Sequence, residues 1–252
     1  SGDTGLPHQL NFYNDFVRSN KERTVVIISD AMRYEVGRSL FEKLQADAKC
    51  TTSISAMQSV LPSYTKFGMA ALLPHNTIEV LPDSRTLADG KPTDDIKQRE
   101  AVLQAANPDS RCVKYDDIKS MNVSALRDVF TGQNVVYVYH DQIDARGDHA
   151  STENEVFNAC EEAVEEIYFL VRKLTSSANT IHYIITADHG FIYKRDKLSE
   201  SDKISGIPDA DRRYALTDRD VQGEGVASLP FSSIIGADDS VSYTHLRAHE
   251  TV

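Results

Sequence analysis

The sequence predicts an α/β fold, a central sheet buried on both faces and sandwiched between helices. Thr24 to Ser29 (TVVIIS), Val135 to Tyr139 and Ile181 to Thr186 (IHYIIT) are short apolar runs rich in β-branched residues. Runs apolar on both faces suit the middle of a helix-covered sheet. Between the second and third runs, Val156, Cys160, Val164, Ile167, Val171 and Leu174 recur at helical spacing, with Glu and Lys opposite. Strand, helix, strand of this size reads as a right-handed parallel crossover.

Taken in chain order, TVVIIS leads into an amphipathic stretch from about Arg33 to Leu44, the first expected helix. In the segment Ser59 to His75, Pro62 ends an extended entry, and KFGMAALL reads as a short helix closed by Pro74. Leu81 to Asn122 is more polar and mixes turns with a short helix near Asp95 to Ala105, as in a cap or an elaborated connection. The strand at Val135 is entered after Thr131-Gly132. Thr152 with Glu155 three residues later forms a capping box at the start of the long helix. Lys197 to Gly225 is charged and without period, so it reads as loop, and the chain carries no internal repeat.

Of 252 residues, 40% are hydrophobic and 26% charged, the balance of a globular chain with one large core. The formal charge of −11 gives the surface as a whole no electrostatic attraction for nucleic acid. Cys50, Cys112 and Cys160 are few and far apart, which excludes a disulfide framework or a thiolate zinc site. No apolar run approaches the roughly 20 residues of a membrane span, and no basic-then-apolar leader opens the chain. The expectation is a cytoplasmic protein without a membrane partner. The opening SGDTGLPHQL lacks Met and reads as excised from a longer protein. Residues 240–252 (SVSYTHLRAHETV) shift abruptly towards His, Arg and Thr and resemble a translated sequencing-adapter tail. The expected organisation is thus a catalytic core over 1–239 and an artefact tail over 240–252, with His245 and His249 left out of the site.

In open α/β sheets functional side chains gather past the carboxyl ends of strands. Asp30 follows TVVIIS, Asp144 comes shortly after VVYVYH, and Asp188 with His189 and Gly190 follows IHYIIT. One strand-end Asp is commonly a helix cap or turn former; three on one rim, one beside a histidine, form a constellation. Carboxylate and imidazole together suit Zn²⁺, Mn²⁺ or Mg²⁺. Asp148, four residues after Asp144, either faces the same ion, caps the following helix or pairs with Arg146. His140 and Asp141 are neighbouring candidates that the sequence does not rank. Thr65 stands at the start of the KFGMAALL helix, where unpaired N–H groups favour anions. Its hydroxyl is either a helix cap or, with a metal close by to lower its pKa, a nucleophile. Lys66 either steadies a phosphate oxygen or is simply solvated.

The blocks VVIISDAMRYEVG, SVLPSYTKFGMAALLPH, VYHDQIDARGDHASTENEVFNACEEA and ITADHGFIYKRD resemble, in order and spacing, those of PglZ proteins of type A, components of bacteriophage-exclusion (BREX) defence systems. The resemblance runs from about Asn11 to Leu216. It implies the alkaline-phosphatase superfamily, with a sheet between helical layers and two divalent metals, zinc foremost and Mn or Mg as alternatives. By motif, Asp30, Asp188, His189 and the Thr65 hydroxyl would serve one metal, and Asp144 and Asp148 the other. The phosphodiesterase branch usually has His where Asp148 stands; the Gly-Asp form is that of PglZ. A downstream His-Gly-Gly block that completes the second site in PglZ is not found between Gly190 and Gly236, so the expected core is C-terminally truncated.

The resemblance implies a metal-dependent phosphohydrolase, a phosphatase or a phosphodiesterase/nuclease, with Thr65 attacking in line and Lys66 beside it. The implied partners are other BREX proteins and a nucleic-acid or nucleotide phosphoester. The rival is a non-catalytic, metal-stabilised scaffold of the defence complex, and a mutase-like phosphotransferase is a third reading.

Overall fold

The computed structural model describes residues 5–81, 83–147, 153–190, 214–217, 226–230 and 242–246. After two short helical turns at Gln9–Asn11 and Tyr13–Val17, the chain runs through β1 (Thr24–Ser29), α1 (Tyr34–Ala46), α2 (Thr65–Ala71), β2 (Ile78–Val80), β3 (Thr86–Ala88) and β4 (Lys91–Pro92). There follow α3 (Ile96–Ala106), β5 (Ser110–Lys114), α4 (Tyr115–Ile118), α5 (Val123–Phe130) and β6 (Val135–His140). The remaining elements are α6 (Gln142–Gly147), α7 (Glu153–Ser177), β7 (His182–Thr186), β8 (Tyr214–Thr217), β9 (Val226–Pro230) and β10 (Ser242–Leu246).

The central sheet has the order β5-β6-β1-β7 and is parallel throughout. β1 and β6 are buried along their whole length, because helices cover both faces. Val26 and Ile28 of β1, with Tyr137 and Tyr139 of β6, pack on the layer formed by α2, α3, β2, β3 and the N-terminal turns. Val25, Ile27, Val136 and Val138 point the other way, onto α1, α4, α5 and α7. This alternation is the two-residue period of a strand, with both sides apolar. The α/β sandwich expected from the sequence is therefore the observed fold. β6 and β7 are not neighbours, since β1 lies between them.

The polar stretch 81–122 supplies more of the sheet than a cap would. It contributes β5, the strand next to β6, while β2, β3 and β4 form a small antiparallel sheet. The expected helix near Asp95 is α3, opened by a reciprocal capping box between Asp95 and Gln98. The capping box expected at Thr152 lies outside the described residues. Within the expected loop 197–225, Tyr214–Thr217 is a strand; the rest of that stretch lies outside the described residues. β8, β10 and β9 form a second small antiparallel sheet, with β10 in the segment 240–252. Among the described residues no helix is long and apolar enough to cross a membrane, and the three cysteines form no disulfide.

Register decides where the site lies. Ser29 pairs with His140 and Ile28 with Thr186, so β1, β6 and β7 end level. Asp30, Asp141 and Asp188 therefore emerge along one carboxyl edge. Beneath that edge Tyr137 is fully buried, and its hydroxyl donates to the Leu72 carbonyl at 2.7 Å, tying β6 to the end of α2. Tyr137→Phe should leave that carbonyl unpaired and cost about 1–3 kcal/mol in urea denaturation, with little change in the slope of the transition.

Candidate metal and phosphate site

Asp30 and Asp188 are buried side by side at the rim. The backbone N–H of Asp30 donates to the His140 carbonyl at 2.7 Å, fixing the residue to the end of β6. Ala31 adopts a positive φ of 61°, a costly conformation for a residue with a Cβ. Its N–H donates to Asp188 Oδ1 at 3.1 Å, so the strained turn ties the two strand ends together.

His189 completes the group. Its Nδ1 lies 2.8 Å from the Gly190 carbonyl oxygen. A carbonyl only accepts, so Nδ1 carries a proton, and in that singly protonated tautomer Nε2 presents a lone pair. Thr65 Oγ1 lies 3.0 Å from Nε2 and donates to it. The same nitrogen is 3.5 Å from Asp30 Oδ1 and 3.4 Å from Asp188 Oδ2. Asp144, half-buried in the first turn of α6, brings a carboxylate oxygen to the cluster. One ligand atom each from Asp30, Asp144 and His189 lies within 4.8 Å of the others.

Burial pushes both carboxyls, Asp30 and Asp188, well above the ordinary aspartate value, and for Asp30 the charges of Asp188 and Asp144 add to the shift. Among the described residues no donor reaches Asp30 Oδ1 or Asp188 Oδ2, both buried. The pair is left either to share a proton or to face a positive charge. Unpartnered carboxylate oxygens beside an imidazole lone pair are the donor set of a divalent cation such as zinc or manganese, and the residues present fit one.

Thr65 is the first residue of α2, and Tyr64 occupies the cap position without a capping bond from its side chain. The hydroxyl of Thr65 is thus turned to the cluster and is not a helix cap. Thr65 and Asp30 also border a cavity of about 590 Å³, lined in addition by Lys97, Lys114, Tyr139 and Asp141. Lys66 is exposed, and no hydrogen bond or ion pair joins it to the cluster. Asp148 lies outside the described residues. Arg146, a candidate partner for it, is paired with Glu162.

The undecided neighbours separate by burial. His140 is 1% exposed and has both ring nitrogens engaged, Nδ1 with Ser29 Oγ at 3.1 Å and Nε2 with Glu166 Oε2 at 2.9 Å. It anchors the end of β6 to α7 and has no lone pair to spare for a metal. Asp141 is exposed and borders the cavity.

Two residues that pattern reading passed over shape the site. Gly68, one turn after Thr65, packs against Asp188: a Cβ there would lie 2.2 Å from the Asp188 carbonyl oxygen. Gln9, only 1% exposed, donates from Nε2 to that same oxygen at 2.7 Å. A glycine inside a helix was the available signal for the first. Nothing local marks the second.

Gly68→Ala should destabilise by about 1–3 kcal/mol, because the obstructing atoms are backbone. Gly37→Ala, in open space on α1, should instead stabilise by up to about 1 kcal/mol; urea titrations of the two variants give the contrast. The raised carboxyls also set a pH dependence. Between the ordinary aspartate value of 3.8 and their raised values, the folded state holds more protons than the unfolded, so stability falls as pH rises. With a chelator present, Asp30→Asn should therefore be more stable than the parent at pH 8, by on the order of 1 kcal/mol or more, and the gain should shrink towards pH 5. Added zinc should reverse the order at pH 8 in thermal melts.

Residues 11–252 match the family profile described as the BREX system PglZ alkaline phosphatase-like domain. The chain is 40% identical over 239 residues to "Alkaline phosphatase-like protein PglZ" of Bacillus cereus (strain H3081.97), covering 92% of this chain and 28% of that one. It is 38% identical over 206 residues to "Alkaline phosphatase-like protein BrxZ" of Escherichia coli O9:H4 (strain HS), covering 79% of this chain and 24% of the relative. The chain thus spans about a quarter of the length of the curated relatives it matches. With that profile matched over nearly all its length, and with the parallel sheet and the acidic rim it carries, the chain belongs to the PglZ family of alkaline phosphatase-like proteins.

Proposed function

We propose that this chain is the phosphate-handling core of a metal-dependent phosphohydrolase in a BREX defence system, with Thr65 as its nucleophile. The observation that carries the proposal is the meeting of the Thr65 hydroxyl with His189, Asp30 and Asp188, of which Thr65 and Asp30 also line the cavity. Asp30, Asp188 and His189 would hold one divalent ion, and Asp144 with Asp148 would serve a second; Asp144 is close enough to Asp30 to serve both. Zinc is the first candidate, with manganese and magnesium as alternatives. When bound, such an ion supplies Lewis-acid polarisation, which lowers the pKa of a neighbouring hydroxyl and offsets phosphoryl charge.

The chain's own residues do the rest. His189 is held by the Gly190 carbonyl with Nε2 facing inward, and Asp188 is held by the Ala31 N–H. Thr65 Oγ1 forms a bond to phosphorus as the ester P–O bond breaks in line. The hydroxyl proton passes to solvent, and the departing alkoxide takes one up. Water then attacks the phosphothreonine, the Thr65–P bond breaks, and the hydroxyl is restored as phosphate or a phosphomonoester leaves. Lys66, one residue beyond, would meet a phosphate oxygen of the substrate.

The substrate class is a phosphoester. Family membership favours a nucleic-acid or nucleotide phosphodiester, with other BREX proteins as partners in the cytoplasm. Thr65→Ala should lower kcat by on the order of a thousandfold or more, while zinc content by elemental analysis stays at the parent level. Thr65→Ser should keep measurable turnover of mono- and diesters. Undiminished activity in Thr65→Ala would remove Thr65 as nucleophile. Bound metal with no turnover of any phosphoester by the parent would favour the scaffold reading.

A further inference from the structure

We infer that Gln9 is a positioning residue: its single buried amide sets the Asp188–His189 turn against the segment that leads to Thr65. The inference rests on the proposed metal site and deepens it. Gln9 Nε2 donates to the carbonyl of Asp188 at 2.7 Å and, more weakly, to that of Ala187 at 3.4 Å. Its Oε1 accepts from the Val60 N–H at 2.9 Å and from Ser59 Oγ at 3.2 Å. One side chain thereby joins a residue 179 positions away to a segment about fifty positions away. Both halves of the amide are used, so the group has one orientation.

The backbone around Gln9 is fixed independently. Its N–H donates to the Gln58 carbonyl at 2.9 Å, and the Gln58 N–H donates to Pro7 at 2.8 Å, forming a parallel bridge. The amide is therefore presented from a rigid base. Its target, the Asp188 carbonyl oxygen, packs closely on Gly68, where a Cβ would lie 2.2 Å from it. Asp188 lies between Gln9 and α2, and Thr65 opens that same helix. The backbone of Asp188 is thus held on one side by the Gln9 bond and packed closely against α2 at Gly68.

Groups that orient a metal ligand without touching the metal commonly change affinity 10–100-fold when altered. The discriminating variant is Gln9→Glu. It keeps an acceptor for Val60 and Ser59 but turns an oxygen, not an N–H, towards the Asp188 carbonyl. Gln104→Glu is its control, because Gln104 Nε2 donates to the Ser110 carbonyl at 2.9 Å, away from the site.

Zinc affinity of the chelator-stripped protein is measured by calorimetric titration, with thermal melts in parallel. Gln9→Glu should bind zinc at least tenfold more weakly than the parent, whereas Gln104→Glu binds as the parent at a comparable melting temperature. Zinc affinity within twofold of the parent in folded Gln9→Glu would overturn the inference while leaving the metal site standing. Should Gln9→Glu fail to fold, the parent decides by amide exchange. On zinc saturation the protection of the Val60 amide should then rise more than that of the Cys112 amide, which donates to Glu100 elsewhere. An equal change at both overturns the coupling. A parent that takes up no zinc overturns both this inference and the proposed site.

Discussion

Two aspartates held against each other out of water impose the order on this molecule. Asp30 follows β1 directly and Asp188 stands two residues beyond its neighbour β7, so the register of the two strands brings both to one edge. Burying two carboxylates together is costly unless the charge is met, and the fold meets little of it. Backbone N–H groups of Ala31, His189 and Asp188 itself bear on the Asp188 carboxylate, while Asp188 Oδ2 and Asp30 Oδ1 have no hydrogen-bond partner among the described residues. Protonation satisfies the pair below the raised values of its carboxyls; above them the charge calls for a cation. The left-handed Ala31, the close packing at Gly68 and the buried amide of Gln9 all serve to hold this unfavourable arrangement in place.

The parts legible in the sequence are those whose signal is local. β1 and β6 are β-branched runs because both of their faces are covered, and α7 carries its apolar stripe because it lies along the sheet. Asp30, Asp188 and His189 announce themselves by following such runs. β5 did not, because Ser110-Arg111-Cys112-Val113-Lys114 at the sheet's edge offers neither an apolar run nor an alternation, and its polar groups bond locally. β2, β3 and β4 are two or three residues long, too short to show a period. Thr65 was legible only as a helix start, whose usual meaning is a cap, and resemblance supplied the rest. Gln9 was invisible: its role depends on a carbonyl 179 residues away.

His140 and Asp144 show how burial separates residues that sequence places together. His140 ends β6 and points inward, where Ser29 and Glu166 take both its nitrogens. Burial lowers its pKa, so the ring is favoured neutral, as a structural link from sheet to α7. Asp144 sits one turn into α6, after the chain has left the sheet, and so retains partial access to solvent. Ile143 beside it is buried, which fixes the helix and points the carboxylate back to the rim. Asp30 and Asp188 are buried just past the strand ends, whereas Asp144 is only half-buried.

The same electrostatics order the events at the cavity. Its lining holds Asp30, Asp94, Asp95, Asp116 and Asp141 against Lys97, Arg99 and Lys114. Arg99 is committed, donating to the Thr93 and Asp94 carbonyls over the Tyr139 ring. Lys97 and Lys114 remain exposed. An anionic ester approaching Thr65 thus meets a surface with more carboxylates than cations, on a chain whose formal charge is −11. Attraction of a phosphate to such a place requires positive charge to arrive beforehand. Asp30 belongs both to this acidic lining and to the buried cluster, so a positive charge met at the cluster would also relieve the repulsion at the cavity.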